Sequence, residues 1–406
     1  MSDNRRYTGR WLGGMLMLLS LLLLTACSSD GEQHEKAQLK IYIFAPDRPT
    51  VTRADNGDVN ASEAENKIHS LHIWVFEHRE KTASNYYSGD DYIGHISLSN
   101  VSFSETSANE VIMELDDAFA NKENKPHVDV YVAANVSASN CGVSFSATTT
   151  RKQLEEAVIA QNYFGVSSLV KDVPGDGLPM TGVMRDKQIT GQRPTYQVSE
   201  ESGGLANVRL VRAVSKVRFV FSKSSSNPDE VAVNSIKLDG EVFPKEEYLF
   251  LENPYPTSLL HVKTESGYVG ETMLVSTVGG EAIKMNDSPA SYSWDGVISG
   301  QTYESKIQTG IDKGKLSDLG TFYLRESDKL VTGTIDYTLK HTEKDASVTT
   351  SQHTPAFRMK AAGDFSRNHT WIVYAYFVSS GDLVLGVVEV KDWSDSENTS
   401  QSVFNW

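Results

Sequence analysis

Apolar side chains recur at every second position along much of this chain, and that period constrains its fold more than any other feature. Leu71, Ile73 and Val75 alternate with other residues in 70–76, Val128, Val130 and Val132 in 128–133, and Val217, Phe219 and Phe221 in 217–221. Ile335, Tyr337 and Leu339 repeat the pattern in 332–339. Successive side chains of a strand point to opposite faces, so these runs predict strands half buried in sheets. Long apolar runs at 371–378 and 383–390, joined by Ser379-Ser380-Gly381-Asp382, predict a hairpin. Clusters of Gly, Ser, Asn and Asp interrupt the runs at short intervals, the punctuation of an all-β sandwich or barrel. One short helix is expected. Thr150-Arg151-Lys152-Gln153 fits a capping box, and Leu154, Ala157, Val158 and Gln161 follow at helical spacing. This helix should pack across the end or face of the first sandwich. A polar, glycine-containing stretch at 192–206 separates two strand-rich halves and marks the expected domain boundary.

The first residues carry an export signal. Arg5, Arg6 and Arg10 precede an apolar run from Trp11 to Leu24, 14 residues long. That length suits a signal-peptide core and is short for a membrane span. The run ends in Leu24-Thr25-Ala26-Cys27, which resembles the lipobox of bacterial lipoproteins. By that resemblance 1–26 is a signal peptide, and Cys27 becomes an acylated N-terminus anchored in the outer membrane. Several acyl chains on one residue give stable anchoring. The residues after Arg5-Arg6 do not fit a twin-arginine signal.

Without residues 1–26 the formal net charge is −17. So acidic a chain repels nucleic acid, which is not an expected partner. Cys141 is the only other cysteine. With Cys27 acylated no internal disulfide can form, so packing and strand pairing must hold the fold. Cys141 itself reads as a small buried hydrophobe.

No residue constellation points to catalysis, and the chain reads as a non-enzyme without cofactor or metal. Phosphate loop, dinucleotide fingerprint, zinc-protease helix and paired-cysteine site are all missing from the sequence. His69 and His72 are three apart in a strand and point to opposite faces, so a shared metal is not expected. Asp55-Asn56-Gly57-Asp58 lacks calcium-loop spacing and reads as a solvated loop. Gly175-Asp176-Gly177 reads as a turn. Trp74, Trp294, Trp371 and Trp393 are expected to fill cores.

Several landmarks then fall into a recognisable order. Leu39-to-Phe44, a polar stretch with Arg53, Ile68-to-Phe76, Tyr131-to-Asn135 and Leu178-to-Gly182 mark the first half. Val208-to-Val217, Arg367-to-Trp371 and Val388-to-Trp393 mark the second. The ordered set resembles the fimbrillin family of Bacteroidetes, subunits of a strand-exchange pilus. The resemblance implies two tandem Greek-key, transthyretin-like β-sandwich domains, at 54–200 and 205–406, behind a lipidated propeptide at 27–53. It implies that an arginine-specific protease removes the propeptide with its first strand, and that another fimbrial subunit fills the gap.

Arg48 precedes Pro49, a poor substrate bond, whereas Arg53-Ala54 lies in a polar run and is the expected processing site. A sandwich that loses a strand bares unpaired backbone groups and a row of apolar side chains. Roughly five such side chains would give a gross drive on the order of 10 kcal/mol. The donor would come from the C-terminal region. Leu383-to-Val388 is apolar on both faces and reads equally well as a central strand, and Gln401-to-Trp406 ends in Val403, Phe404 and Trp406. The expected function is a structural subunit of a surface fimbrium that contributes to adhesion. A tip or anchor accessory protein, or a non-polymerising lipoprotein that binds a glycan or small ligand, stays open as an alternative.

Overall fold

The computed structural model describes residues 36–44, 62–103, 107–138, 142–159, 173–224, 226–250, 262–276, 283–284, 287–288, 303–358, 365–379, 382–390 and 399–404. The side chains of 117, 264, 275, 283–284, 287–288, 303–306, 378–379, 382, 384–390 and 399–404 are not among them. Cys27, Arg53, Ala54, Cys141, Trp294 and Trp393 lie outside the described residues, as do Asp55-to-Asp58 and Gln161.

The first half supplies strands β1 (Gln38–Phe44), β2 (Ser70–Glu77), β3 (Tyr92–Ser99), β4 (Asn109–Glu114), β5 (Val128–Ala134), β6 (Val158–Ile159), β7 (Met180–Gln192), β8 (Thr195–Ser199), β9 (Asn207–Arg209) and β10 (Val211–Arg212). Short helices α1 (Glu63–Asn66), α2 (Asp117–Ala120) and α3 (Arg151–Glu155) lie between them. Nine of these strands form one sheet in the order β3-β2-β5-β7-β8-β1-β4, with β10 on β7 and β9 on β1. The long β7 folds this sheet into a sandwich. Its first residues pair with β5, and Gln188–Gln192 pair with β8. The core between the two layers is made by the alternating residues that the sequence pattern marked. Leu39, Ile41 and Ile43 of β1 meet Leu71, Ile73 and Val75 of β2, Val130 and Val132 of β5, and Val111 and Met113 of β4.

The second half begins at β11 (Ser215–Ser224) and continues through β12 (Glu230–Leu238), β13 (Glu247–Tyr248), β14 (Thr272–Ser276), β15 (Ile283–Lys284) and β16 (Asp287–Ser288). Helix α4 (Tyr303–Asp312) precedes β17 (Ser317–Leu324), β18 (Thr332–Thr342), β19 (Val348–His353) and β20 (Ala356–Arg358). The last strands are β21 (Thr370–Ser379), β22 (Asp382–Val390) and β23 (Thr399–Phe404). One sheet runs β16-β11-β21-β22-β23 with β17 on β11; the other runs β14-β12-β18-β19 with β15 and β20 attached. Val217, Phe219, Phe221, Trp371 and Val373 of the first sheet pack on Val231, Val233, Ile335 and Tyr337 of the second. The fold is all-β, sandwich on sandwich, as the period-two pattern implies. The hairpin expected at 371–390 is β21–β22.

Three sequence expectations need correction. Helix α3 forms its capping box on Thr150 and Gln153 but ends at Glu155 rather than continuing to Val158. Val158 and Ile159 are β-branched, and they pair with Tyr248 and Glu247 from the second half. The stretch 192–206 is not a plain separator, because Thr195–Ser199 within it is β8, held by buried Tyr196 and Val198. The second sandwich does not begin at 205. Residues 207–209 pair with β1 and 211–212 pair with β7, so the crossing falls between Arg212 and Ser215. Close packing fixes this choice. A Cβ on Gly182 of β7 would lie 2.5 Å from the Arg209 carbonyl oxygen, so glycine is what lets β9 approach β7.

Buried charge joins the halves. Glu65 of α1 accepts from Lys216 at 3.0 Å and from the Tyr323 hydroxyl at 2.6 Å. Burial opposes ionisation of Glu65, but Lys216, Tyr323 and the Ser62 N–H outweigh it and hold the carboxyl below its ordinary range. Arg212 donates to the Glu65 carbonyl, to Asn66 and to Asn368.

Candidate functional site

The sequence singled out the first strand, and the fold places it inside the sheet. The alternation in Gln38-Leu39-Lys40-Ile41-Tyr42-Ile43-Phe44 puts Leu39, Ile41 and Ile43 wholly inside the core, with Ala37 beside them. Both backbone edges of β1 are used. On one side it pairs antiparallel with β4 from Gln38↔Glu114 to Ile43↔Asn109. On the other it pairs parallel with β8 at 38–40 and with β9 at 42–44. Further backbone bonds seal the ends. Gln38 N–H donates to the Pro194 carbonyl at 2.8 Å, Leu115 N–H to the Ala37 carbonyl at 2.8 Å, and Leu210 N–H to the Phe44 carbonyl at 3.1 Å.

Removing β1 would therefore bare a slot with β4 as one wall and β8 and β9 as the other. Three large aliphatic side chains fill it, not the five expected. At about 1.5–3 kcal/mol each they contribute roughly 5–9 kcal/mol of gross burial, before the backbone pairing is counted. The strand is therefore strongly seated as long as it stays.

The outer face of the slot carries charge. Lys40 Nζ and the Tyr42 hydroxyl both donate to Glu110 Oε2 at 3.0 Å, and Lys36 Nζ donates to Glu114 at 2.8 Å. The hydrogen bond from Lys40 holds the Glu110 carboxyl below its ordinary range, and the reciprocal bond raises the Lys40 ammonium. Glu110 is about one-third exposed, so these pairs add selectivity more than strength.

The covalent connection of β1 matters as much as its contacts. Phe44 pairs with Arg209, and α1 is held through Glu65 and Asn66 by Arg212, three residues further on. The 17 residues 45–61, with Arg48 and Arg53 among them, join these two points. The segment resumes at a cap. Ser62 accepts from Glu65 N–H, and the Glu65 side chain accepts from Ser62 N–H. This S-x-x-E signature is a helix start legible in the sequence, whereas the β8 wall lies in a stretch with the composition of a linker.

The C-terminal candidates separate. Strand β22 lies between β21 and β23, paired on both edges, as its reading as a central strand required. The tail 399–404 pairs within its own chain, Leu385↔Phe404 to Val390↔Thr399, as the last strand of its sheet.

The remaining singled-out residues have structural places. Trp74 and Trp371 are buried in cores. Gly177, at φ +84°, closes a turn by donating its N–H to the Pro174 carbonyl. His72 contacts His95, Nδ1 to Nε2 at 3.2 Å, beside Trp74 rather than beside His69. Among the described residues no group of three or more His, Cys, Asp or Glu is placed to hold a metal ion. Among them, too, no helix is long and apolar enough to cross a membrane.

Solved structures that align along most of the chain include a candidate cell adhesion protein of Bacteroides eggerthii. It is 13% identical, with 92% of this chain and 97% of that one covered and a TM-score of 0.42. A fimbrial protein of Bacteroides vulgatus aligns at 8% identity, 83% and 92% coverage and a TM-score of 0.37. The fimbrial anchor protein Mfa2 of Porphyromonas gingivalis aligns at 9% identity, 84% and 91% coverage and a TM-score of 0.34. No curated protein matches the chain in sequence. Residues 37–232, which contain the first strand, both walls of its slot and the crossing into the second sandwich, match the family model described as Major fimbrial subunit protein (FimA), and over that span the chain is similar to that fimbrial family.

Proposed function

We propose that the chain is a structural subunit of a surface fimbrium, assembled by protease-triggered strand exchange and contributing to adhesion. The precursor is lipidated on Cys27 and held at the outer membrane. An arginine-specific protease cuts between Arg53 and Ala54. Strand β1 then leaves, and a strand of a neighbouring fimbrial subunit takes its place. The chain contributes no catalysis of its own. The observation that carries this reading is the seating of β1: paired along both edges, filling the core with three aliphatic side chains, and tethered by a segment that holds Arg53. Edge addition of a strand supplies backbone hydrogen bonds for affinity and alternating pockets for specificity. The C-terminal strands β22 and β23 are the chain's own candidate donor toward another subunit.

An accessory place, at the anchor or the tip, has one observation in its favour: β23 is already paired inside its own chain. The test is limited digestion of the purified precursor with an arginine-specific protease. The reading predicts a new N-terminus at Ala54, lost in Arg53→Ala, followed by higher-order assemblies. Complete cleavage that leaves only monomers in the presence of a partner subunit would refute it.

A further inference from the structure

The slot left by β1 has a chemical code, and the C-terminal segment of this chain does not carry it. This inference rests on the exchange reading above. Inward, the occupant must present aliphatic side chains at three alternate positions, those of Leu39, Ile41 and Ile43. Outward, it must face β4, whose sequence Asn-Glu-Val-Ile-Met-Glu holds two carboxylates and no base. Lys40, between the first two inward positions, meets Glu110, and Lys36 meets Glu114. Both carboxylates lose these cations when β1 departs.

Segment 399–404 offers Thr399, Gln401 and Val403 at one set of alternate positions and Ser400, Ser402 and Phe404 at the other. Neither set holds more than one apolar residue. Continuing to Trp406 adds a second ring, but rings in place of Leu and Ile overpack a filled core. Segment 382–390 does hold Leu383, Leu385 and Val387 in alternation, with Val384 and Gly386 between them and no cation for Glu110. It is also locked between β21 and β23. The last basic residue of the chain is Lys391, and Asp392, Asp395 and Glu397 follow it. A segment taken from 392–397 would bring acid to an acidic rim, and 399–404 brings no cation.

We infer that the slot is built for a strand of a different subunit, one with three aliphatic residues in alternation and a lysine or arginine between the first two. Segments 382–390 and 399–406 are then not the strand that fills this slot in a second copy, and the chain takes a defined place in a mixed fibre. Aliphatic mismatch supplies most of the discrimination, about a hundredfold or more for two missing side chains. The cation adds about three- to fivefold, because its pair is partly exposed.

The test uses the chain from Ser28 onward, cut with the arginine-specific protease and offered fluorescent synthetic peptides in a slow-exchange binding assay. The peptides are 37–45, the same with Lys40→Glu, 382–390 and 399–406. The inference predicts tight uptake of 37–45 and several-fold weaker uptake of the charge-reversed peptide, with that difference abolished in Glu110→Gln. It predicts that 382–390 binds more weakly than 37–45 and that 399–406 binds at least a hundredfold more weakly. If 399–406 or 382–390 binds as tightly as 37–45, or charge reversal has no effect, the inference is overturned while the exchange reading stands. If no peptide enters, 37–45 included, the slot was never vacated, and both fall.

Discussion

Ile41 of β1 lies directly opposite Val111 of β4, and both side chains are buried in the core of the first sandwich. A strand that reads in sequence as part of a disposable leader is thus a structural member of the sheet. Its loss cannot be silent. Truncation inside the slot should weaken the precursor without changing its surface. Ile41→Ala should cost about 2–5 kcal/mol, the usual range for a buried isoleucine, as a lower urea midpoint at unchanged slope. After cleavage the same variant should release its first strand faster than the wild type. A loss below about 0.5 kcal/mol would mean that β1 contributes little to the core.

The buried pair between Lys216 and Glu65 ties the chain just after residues 45–61 to the junction of the sandwiches. Lys216→Met would leave Glu65 buried beside Tyr323 without its nearest cation, at a cost of about 3–5 kcal/mol at neutral pH. The pH dependence follows from the lowered Glu65 value. A carboxyl with a depressed folded-state pKa contributes stability above its unfolded pKa and loses it as pH falls through the folded one. Thermal unfolding of the wild type should therefore weaken below about pH 4.5. The deficit of Lys216→Met should shrink over the same acid range.

Glu247 should behave in the opposite sense. It is fully buried near Glu326, with Arg367 at 3.9 Å, and its Oε1 has no hydrogen-bond partner. Burial first, and then Glu326, push its carboxyl up to about 7 against the pull of Arg367 and Arg325. A raised carboxyl pKa means that the protonated form fits the fold. The contribution is whole below the unfolded pKa and is lost as pH rises toward about 7. Glu247→Gln should thus gain relative to the wild type between pH 5 and pH 8, by about 1–3 kcal/mol in chemical denaturation at the two pH values. A difference independent of pH would show that Glu247 stays ionised throughout.

The sandwich class was legible because half-buried strands write their period directly into the sequence. In β1, Leu39, Ile41 and Ile43 announced a strand, and in β18, Ile335, Tyr337 and Leu339 did the same. What stayed hidden depended on partners far away in the chain. Val158 and Ile159 follow a good helix start, yet they become a strand because Glu247 and Tyr248 arrive from the second half to pair with them. The β8 wall is only five residues long beside Gly191 and Pro194, and local composition marked it as a linker. That Asn207–Arg209 belongs to the first sandwich depends on Tyr42 to Phe44 lying alongside, a pairing that spans most of that domain. Alternation names a strand; it does not name the neighbour.

If β1 has to leave its slot before another strand enters, a covalent lock on β1 should block assembly. Lys40 and Ile112 are directly opposite on the outer face of β1 and β4. In the chain from Ser28, with Cys141→Ser, the pair Lys40→Cys and Ile112→Cys would join the two strands by a disulfide. Assembly with a partner subunit after arginine-specific cleavage is followed by light scattering, oxidised and reduced. The oxidised, fully cleaved protein should stay unassembled, and reduction should restore assembly. Equal assembly with the lock closed, verified by mass, would contradict it.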